Sequence, residues 1–213
     1  MKVTLKHFTP LDVCYSAIRT CWQSFDKSDN GGEKDLALID RVGNKNKHSS
    51  TLEHLFYNFY IQGISRACLQ ELSRHRIASL SVKSTRYTLK ELKEEETFLP
   101  LDQNNFARAE KFIVLTKNRQ VDEASVLALD KLRLLLKEGI SNDIAKYALP
   151  ESYKTELSWS INARSLQNFI ELRSSRQALW EIRDLAHSIF NALPSEHQFI
   201  FSEKLQNADH NPS

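Results

Sequence analysis

Apolar and polar positions alternate most cleanly between residues 153 and 161. There Tyr153, Thr155, Leu157, Trp159 and Ile161 interleave with Lys154, Glu156, Ser158 and Ser160. Successive side chains of an extended chain point to opposite faces, so a period of two predicts a strand with one covered face. Residues 55–62, LFYNFYIQ, are aromatic and strand-favouring, which predicts a second strand with both faces partly covered. Elsewhere the spacing is helical. Residues 11–25 place Val13, Ala17, Ile18, Cys21 and Trp22 toward one face, and a shorter helix is expected over 33–42, after the turn Asp29-Asn30-Gly31-Gly32. Ser65 is placed to cap a helix running to Arg74, with Ala67, Cys68, Leu69 and Leu72 apolar. Residues 89–96, LKELKEEE, read as a solvated acidic helix turn or loop, and residues 104–139 as one or two long helices. Further helices are expected over 162–173 and 179–193. Helices outnumber strands, no internal repeat interrupts the chain, and the class is α+β in a single domain spanning residues 1–213.

Composition narrows the function without naming it. The 213 residues carry a formal net charge of +2, too little to imply a nucleic-acid or membrane partner by itself. No stretch approaches the roughly 20 apolar residues that span a bilayer, and the first residues lack the apolar core of a secretion signal, so a cytoplasmic protein is expected. Cys14, Cys21 and Cys68 form no CxxC pair and no zinc spacing. Cys14 and Cys21 lie seven residues apart, on one helix face, and read as two small buried hydrophobes rather than a redox pair.

Three polar clusters carry the candidate chemistry. Between Arg74 and Tyr87 the chain holds Arg74, His75, Arg76, Lys83 and Arg86 among Ser79, Ser81 and Ser84, with no acidic residue. Guanidinium groups grip phosphate bidentately, so a nucleotide or dinucleotide phosphate is a sensible ligand; a solvated basic loop, paired with the acids of 89–96, is the alternative. An RNA-binding patch is weakened by the lack of interleaved aromatics before Tyr87. The second cluster is His48-Ser49-Ser50-Thr51-Leu52-Glu53-His54. Two histidines and a carboxylate invite a metal, but HExxH spacing is missing, and Ser50 with Glu53 fits a capping box better. The third cluster lies on the expected helix 162–173. Asn162 and Arg173, eleven residues apart, return to nearly one face, while Arg164 and Asn168 share another. Such a helix either lines ligands or lies partly exposed with its arginines in surface ion pairs.

Together the clusters resemble the flavin-dependent thymidylate synthases. RHRIASLSVKSTRY resembles that family's signature, an Arg-His-Arg followed after seven residues by Ser and then Arg, here Arg74, His75, Arg76, Ser84 and Arg86. HSSTLEH is similar to its His-x-Thr/Ser-x-x-Glu-His segment, and NARSLQNFIELR with ALWEIRDLA to its C-terminal flavin and nucleotide segment. The resemblance implies a homotetramer of α+β subunits, each with a central, mostly antiparallel sheet flanked by helices and a long helical segment, and with active sites shared between chains. It implies FAD as cofactor, NADPH as reductant, 5,10-methylenetetrahydrofolate as carbon donor and dUMP as substrate, with no metal. On its motifs His48, Ser50, Glu53, Arg74, His75, Arg76, Asn162, Arg164 and Asn168 fall at flavin positions. Glu71, Arg74, Ser84, Arg86, Lys146 and Arg173 fall at dUMP positions, Arg173 being the catalytic residue beside the pyrimidine. The chain departs from the common pattern at Lys146, where arginine is usual, and at Glu71, where glutamine is usual. It departs again at Val82 for glutamate and Cys21 for serine. A flavin- or nucleotide-binding protein of the same fold without methylation activity is the alternative function.

Overall fold

A computed structural model describes residues 1–209, with side chains as far as Leu205. The chain falls into two compact units. The first comprises Met1–Ile61, Glu71–Ser81 and the chain from Ser158 onward; the second comprises Gln62–Gln70 and Val82–Leu157. Four strands, β1 (Lys2–Phe8), β2 (Phe56–Ser65), β3 (Ala78–Val82) and β4 (Lys154–Asn162), form an antiparallel sheet in the order β1-β2-β4-β3. The protein is thus α+β. In β4 the alternation expected from the sequence is realised: Thr155, Leu157, Trp159 and Ile161 are buried, while Lys154, Glu156, Ser158 and Ser160 are not.

In the first unit, β1 leads into α1 (Leu11–Trp22), whose C-terminus is turned by Gln23 in the left-handed region at φ 47°. A short 3₁₀ turn (Phe25–Lys27), then α2 (Glu33–Ile39) and a wider helical turn (Asp40–Lys45) follow. Asp29 accepts the backbone N–H groups of Lys34 and Asp35, satisfying donors at the start of α2 that its own helix leaves unpaired. α8 (Ala163–Arg173) follows β4 directly and packs against α9 (Trp180–Ala192), α10 (Ser202–Asp209) and the 3₁₀ segment Ser49–His54. Its buried face is Leu166, Phe169 and Ile170. Phe169 meets both Trp159 and His75 edge-on, at ring-centroid distances of 5.0 Å each. Gly43 is required by space: a Cβ there would lie 2.8 Å from Cδ2 of the buried Leu52.

In the second unit, Ser65 Oγ accepts the Cys68 N–H at 3.0 Å at the start of α3 (Arg66–Ser73), the cap expected from the sequence. α4 (Lys90–Glu94), α5 (Gln103–Ala109), α6 (Arg119–Lys137) and α7 (Asn142–Ala145) surround a core of Leu89, Leu92, Phe98, Phe112, Val126, Leu129 and Leu132. The expected helical stretch over 104–139 is therefore two helices, with Asn118 capping the second through Gln120 and Val121 N–H groups.

Two local expectations are corrected, and two strands are added. Ser50 caps nothing: the 3₁₀ segment begins after His48 and has no side-chain cap, so the capping box is not formed. Cys14 is buried but Cys21 is exposed, because the last turn of α1 runs past the core and also leaves Trp22 83% exposed. The strands β1 and β3 were not foreseen; both lie at the edges of the sheet, where a strand has fewer neighbours to impose alternation.

The first unit buries an ion pair completely. Arg19 and Asp35 are 4% and 0% exposed, and the Arg19 Nε donates to Asp35 Oδ1 at 2.9 Å. Burial pushes the Asp35 carboxyl up, but hydrogen bonds from Ser28 Oγ, the Gly31 N–H and Arg19 outweigh it and hold it well below the usual carboxylate range. Removing one member of such a pair strands a buried charge. Asp35→Ala is therefore expected to cost about 3–5 kcal/mol of stability, read as a lower urea midpoint. Breaking the exposed Asp40–Lys45 pair by Lys45→Ala should leave the midpoint almost unmoved.

Candidate active site

The polar residues of α8 converge on one cleft of the first unit. Asn162, the last residue of β4, accepts the Ser165 N–H on Oδ1 at 2.8 Å and so starts the helix. From there Arg164, Asn168 and Leu172 follow at intervals of four, and Arg173 ends the last turn. With Glu53, Arg74, His75, Arg76 and Ile77 they line a cavity of about 640 Å³. The two faces expected from the sequence thus open on the same space. Ile77, Ser165 and Leu172 were not singled out in the sequence. Leu172 carries a legible signal, since it continues the Arg164–Asn168 row at the same spacing of four.

Arg173 is held from three sides. Its Nε donates to His75 Nε2 at 3.0 Å, Nη1 to Glu71 Oε2 at 2.6 Å, and Nη2 to the Glu71 carbonyl at 3.2 Å. A guanidinium has five N–H donors, so two remain for a ligand in the cleft. The acceptor role of Nε2 fixes His75 as the neutral tautomer with its proton on Nδ1. Burial lowers the His75 pKa first, the positive charges of Arg173 and Arg74 lower it further, and Glu71 opposes them; the result is about 4. Arg164 is paired with Glu53 at 2.6 Å across an exposed edge. Arg74 and Arg76 are exposed and, among the described residues, form no ion pair. Two unpaired guanidiniums and a half-free Arg173 beside the exposed side chains of Ile77 and Leu172 suit a ligand with anionic groups and a flat apolar ring.

Over this framework the comparisons with known proteins are decisive. The family model described as "Thymidylate synthase complementing protein" matches residues 4–197. A flavin-dependent thymidylate synthase of Wolinella succinogenes is 67% identical over 201 residues, covering 94% of this chain and 97% of that one. The Helicobacter pylori enzyme is 64% identical over 207 residues, covering 97% and 100%. The chain belongs to the flavin-dependent thymidylate synthases. The crystal structure of thymidylate synthase X from Helicobacter pylori with FAD and dUMP matches with a TM-score of 0.94, covering 97% of this chain and 100% of that one. A more distant flavin-dependent thymidylate synthase, from Pyrococcus furiosus, is 34% identical over 87% of this chain and 76% of its own length.

Within this flavin-dependent thymidylate synthase, Glu53, Arg74, His75, Arg76, Asn162, Arg164, Asn168 and Arg173 share the cleft. His48 and Ser50 do not line it; His48 lies on a second cavity beside α1 and α2, and Ser50 is exposed. Glu71 does not line it either, because its carboxylate turns to Arg173. Ser84, Arg86 and Lys146 belong to the second unit. Ser84 closes a turn after β3, accepting the Tyr87 N–H and the Thr88 hydroxyl on its carbonyl. Arg86 is bidentate on Asp143, at 2.6 and 3.2 Å, and its carbonyl accepts Asn142 Nδ2 at the start of α7, which Lys146 follows. The acids of 89–96 take no part, Glu95 instead pairing with Arg108 and Lys111. Among the described residues no group of three His, Cys, Asp or Glu side chains is arranged to hold a metal, and no helix is long and apolar enough to cross a membrane.

The depressed pKa of His75 makes a signed prediction. Unfolded, a histidine titrates near 6.5; folded, His75 waits until about 4. Between those values the unfolded chain holds a proton that the folded chain lacks, so stability falls as pH is lowered through that window and is restored above it. His75 should remain neutral at pH 5 in an NMR titration of its ring resonances. His75→Gln, which cannot charge, should flatten this part of the stability–pH curve.

Proposed function

We propose that this chain carries out the reductive methylation of dUMP to dTMP, with 5,10-methylenetetrahydrofolate giving the carbon. NADPH reduces the bound FAD, which supplies the hydride that completes the methyl group. The names of the relatives and the FAD and dUMP of the Helicobacter pylori structure support the reaction class. The observation that carries the reading is Arg173, clamped by Glu71 and His75 and left with two donors in a cleft that also holds unpaired Arg74 and Arg76. The same cleft fits FAD by its chemistry: cations without acid partners for the phosphates, and Ile77 with Leu172 as apolar walls for a flat ring.

The residues then divide their work. Arg74, His75 and Arg76, with Glu53, Asn162, Arg164 and Asn168, hold the flavin in this cleft; His48 and Ser50, which lie outside it, reach a flavin only through the sharing of active sites between subunits. Arg173 directs its free N–H groups at the pyrimidine, where they stabilise the negative charge that makes C5 nucleophilic. Glu71 acts through Arg173 by fixing its orientation. Ser84, Arg86 and Lys146 hold the dUMP phosphate, which anchors the ring so that orientation contributes to rate. The assembly is a homotetramer with active sites shared between subunits, in the cytoplasm, and residues 1–213 act as one functional domain.

Release of tritium from dUMP labelled at C5, dependent on both folate and NADPH, tests the reaction and separates it from mere flavin or nucleotide binding. Arg173→Ala should lower turnover by about 100-fold or more while flavin absorbance stays with the protein; near-normal turnover refutes the role. A second prediction concerns Arg86, which Asp143 occupies. An exposed pair of this kind holds its partner by at most about 1 kcal/mol. Asp143→Asn frees the guanidinium and should therefore tighten dUMP binding by about two- to fivefold, measured as a lower KM at unchanged kcat.

A further inference from the structure

A line of aromatic side chains runs from the cleft into the core of the first unit, and the proposed reaction makes no use of it. His75, in the cleft wall, meets Phe169 edge-on, and Phe169 meets Trp159, each with ring centroids 5.0 Å apart. Trp159 lies 6.2 Å from Phe59, and Phe59 stacks on Tyr57 at 6.3 Å. The line ends where the Tyr57 hydroxyl lies 2.8 Å from His197 Nδ1. All of these rings are buried, and Phe201 and Phe8 pack edge-on against Tyr57 and His197.

Packing accounts for the burial of these rings, but not for their polar atoms. Trp159 Nε1 is buried without a hydrogen-bond partner among the described residues, a lost bond that a phenylalanine at 159 would avoid. Tyr57 is the opposite case. Its hydroxyl meets no other acceptor among the described residues, so it donates to His197 Nδ1, and the imidazole is neutral with its proton on Nε2. Burial lowers the His197 pKa, with Glu196 opposing, and raises that of Tyr57, with Cys14 adding to the rise. A protonated phenol thus faces a neutral base. Indole and phenol give up one electron more readily than the other aromatic side chains. An oxidised Trp159 has nowhere to send its proton and stays a strong oxidant, whereas Tyr57 can pass its proton to His197 as the electron leaves. A hole therefore runs downhill from Trp159 to Tyr57.

We propose that the line from His75 to Tyr57 is a one-electron path that carries oxidising equivalents out of the cleft. The inference rests on the reading that the cleft holds flavin, because one-electron oxidants form where reduced flavin meets dioxygen. Such an oxidant takes an electron from Trp159 across Phe169 and His75. Tyr57 refills Trp159 and gives its phenolic proton to His197 Nδ1, which leaves a neutral tyrosyl radical and an imidazolium. A thiol then returns one electron through the same line, and His197 returns the proton. The oxidant gains one electron, the thiol loses one, and the protein ends unchanged.

The test uses the flavin-loaded, full-length protein under blue-light flashes, since photo-excited oxidised flavin is itself a one-electron oxidant. Transient absorption and electron paramagnetic resonance read the protein radicals. In wild type an indole radical should appear first and give way to a tyrosyl radical, more slowly in D₂O than in water. Tyr57→Phe should prolong the indole radical and lose the tyrosyl one. His197→Gln, whose amide still accepts the hydrogen bond but takes no proton, should do the same, which separates proton transfer from packing. Trp159→Phe should lose both signals. The D₂O comparison needs no substitution, so it decides the matter even where a core variant fails to fold. During turnover in air, Tyr57→Phe should start at the wild-type rate but lose activity sooner, with oxidation of His75 and Trp159 seen by mass spectrometry. A tyrosyl signal of wild-type size in Tyr57→Phe or Trp159→Phe overturns the proposal, as does a wild type with no protein radical or no slowing in D₂O. Equal lifetimes in air overturn its protective purpose. Protein that takes up no flavin overturns the reading of the cleft, and the path falls with it; bound flavin without these radicals sinks the path alone.

Discussion

The cleft depends on one switch of backbone period. At Asn162 the chain passes from β4, where alternate residues share a face, to α8, where every third or fourth does. The side-chain oxygen of Asn162 makes the switch sharp by taking the Ser165 N–H, and the Ala163 N–H is taken by the Leu55 carbonyl. No residue is spent on a connecting loop. The rigidity of the strand is thereby passed to the helix, and Arg173, at the far end of that helix, inherits a fixed position. Catalytic groups on regular elements are held more tightly than groups on loops, because their backbone is already bonded within the element.

Charge is sorted with similar economy. The arginines that organise structure, Arg19 and Arg133, are buried and paired with Asp35 and Asp130. Those that face the cleft are paired in part or not at all: Arg164 at an exposed edge, Arg173 on one of its flanks, Arg74 and Arg76 with no acid among the described residues. The difference follows from desolvation. A buried cation without an acid is prohibitively costly, whereas an exposed one keeps its water until a ligand replaces it. His75 lies between these cases. It is buried among cations, so it stays uncharged and serves Arg173 as an acceptor.

Much of this could be read from the residues alone, and the reasons differ by element. β4 and α8 were legible because their two faces meet opposite environments, so Trp159, Ile161, Leu166 and Phe169 mark the inside without ambiguity. The Arg-His-Arg run and the α8 polar row were legible as a resemblance, and they do share a cleft. The edge strands β1 and β3 were not legible, since neither fully buries a residue, although β1 packs against α9, and so neither shows an alternating buried row. Pairing preferences were not legible either. Nothing in the order of residues says that Glu71 turns toward Arg173, that Asp143 occupies Arg86, or that His48 faces a different cavity from Glu53 five positions on. Those outcomes depend on which groups the fold brings within hydrogen-bond reach. The buried Arg19–Asp35 pair, sixteen residues apart, was hidden for the same reason.

The close approach of Gly43 to Leu52 has a bearing on how this sequence can drift. Leu52 is buried and immediately precedes Glu53, a wall of the cleft. A methyl group at position 43 has nowhere to go except into the isobutyl group of Leu52, and relief by backbone movement would carry Glu53 with it. The two positions are therefore bound to covary: bulk gained at 43 must be surrendered at 52. Heat-sensitive variants of this protein should accumulate at this pair, although neither residue lines the cleft itself.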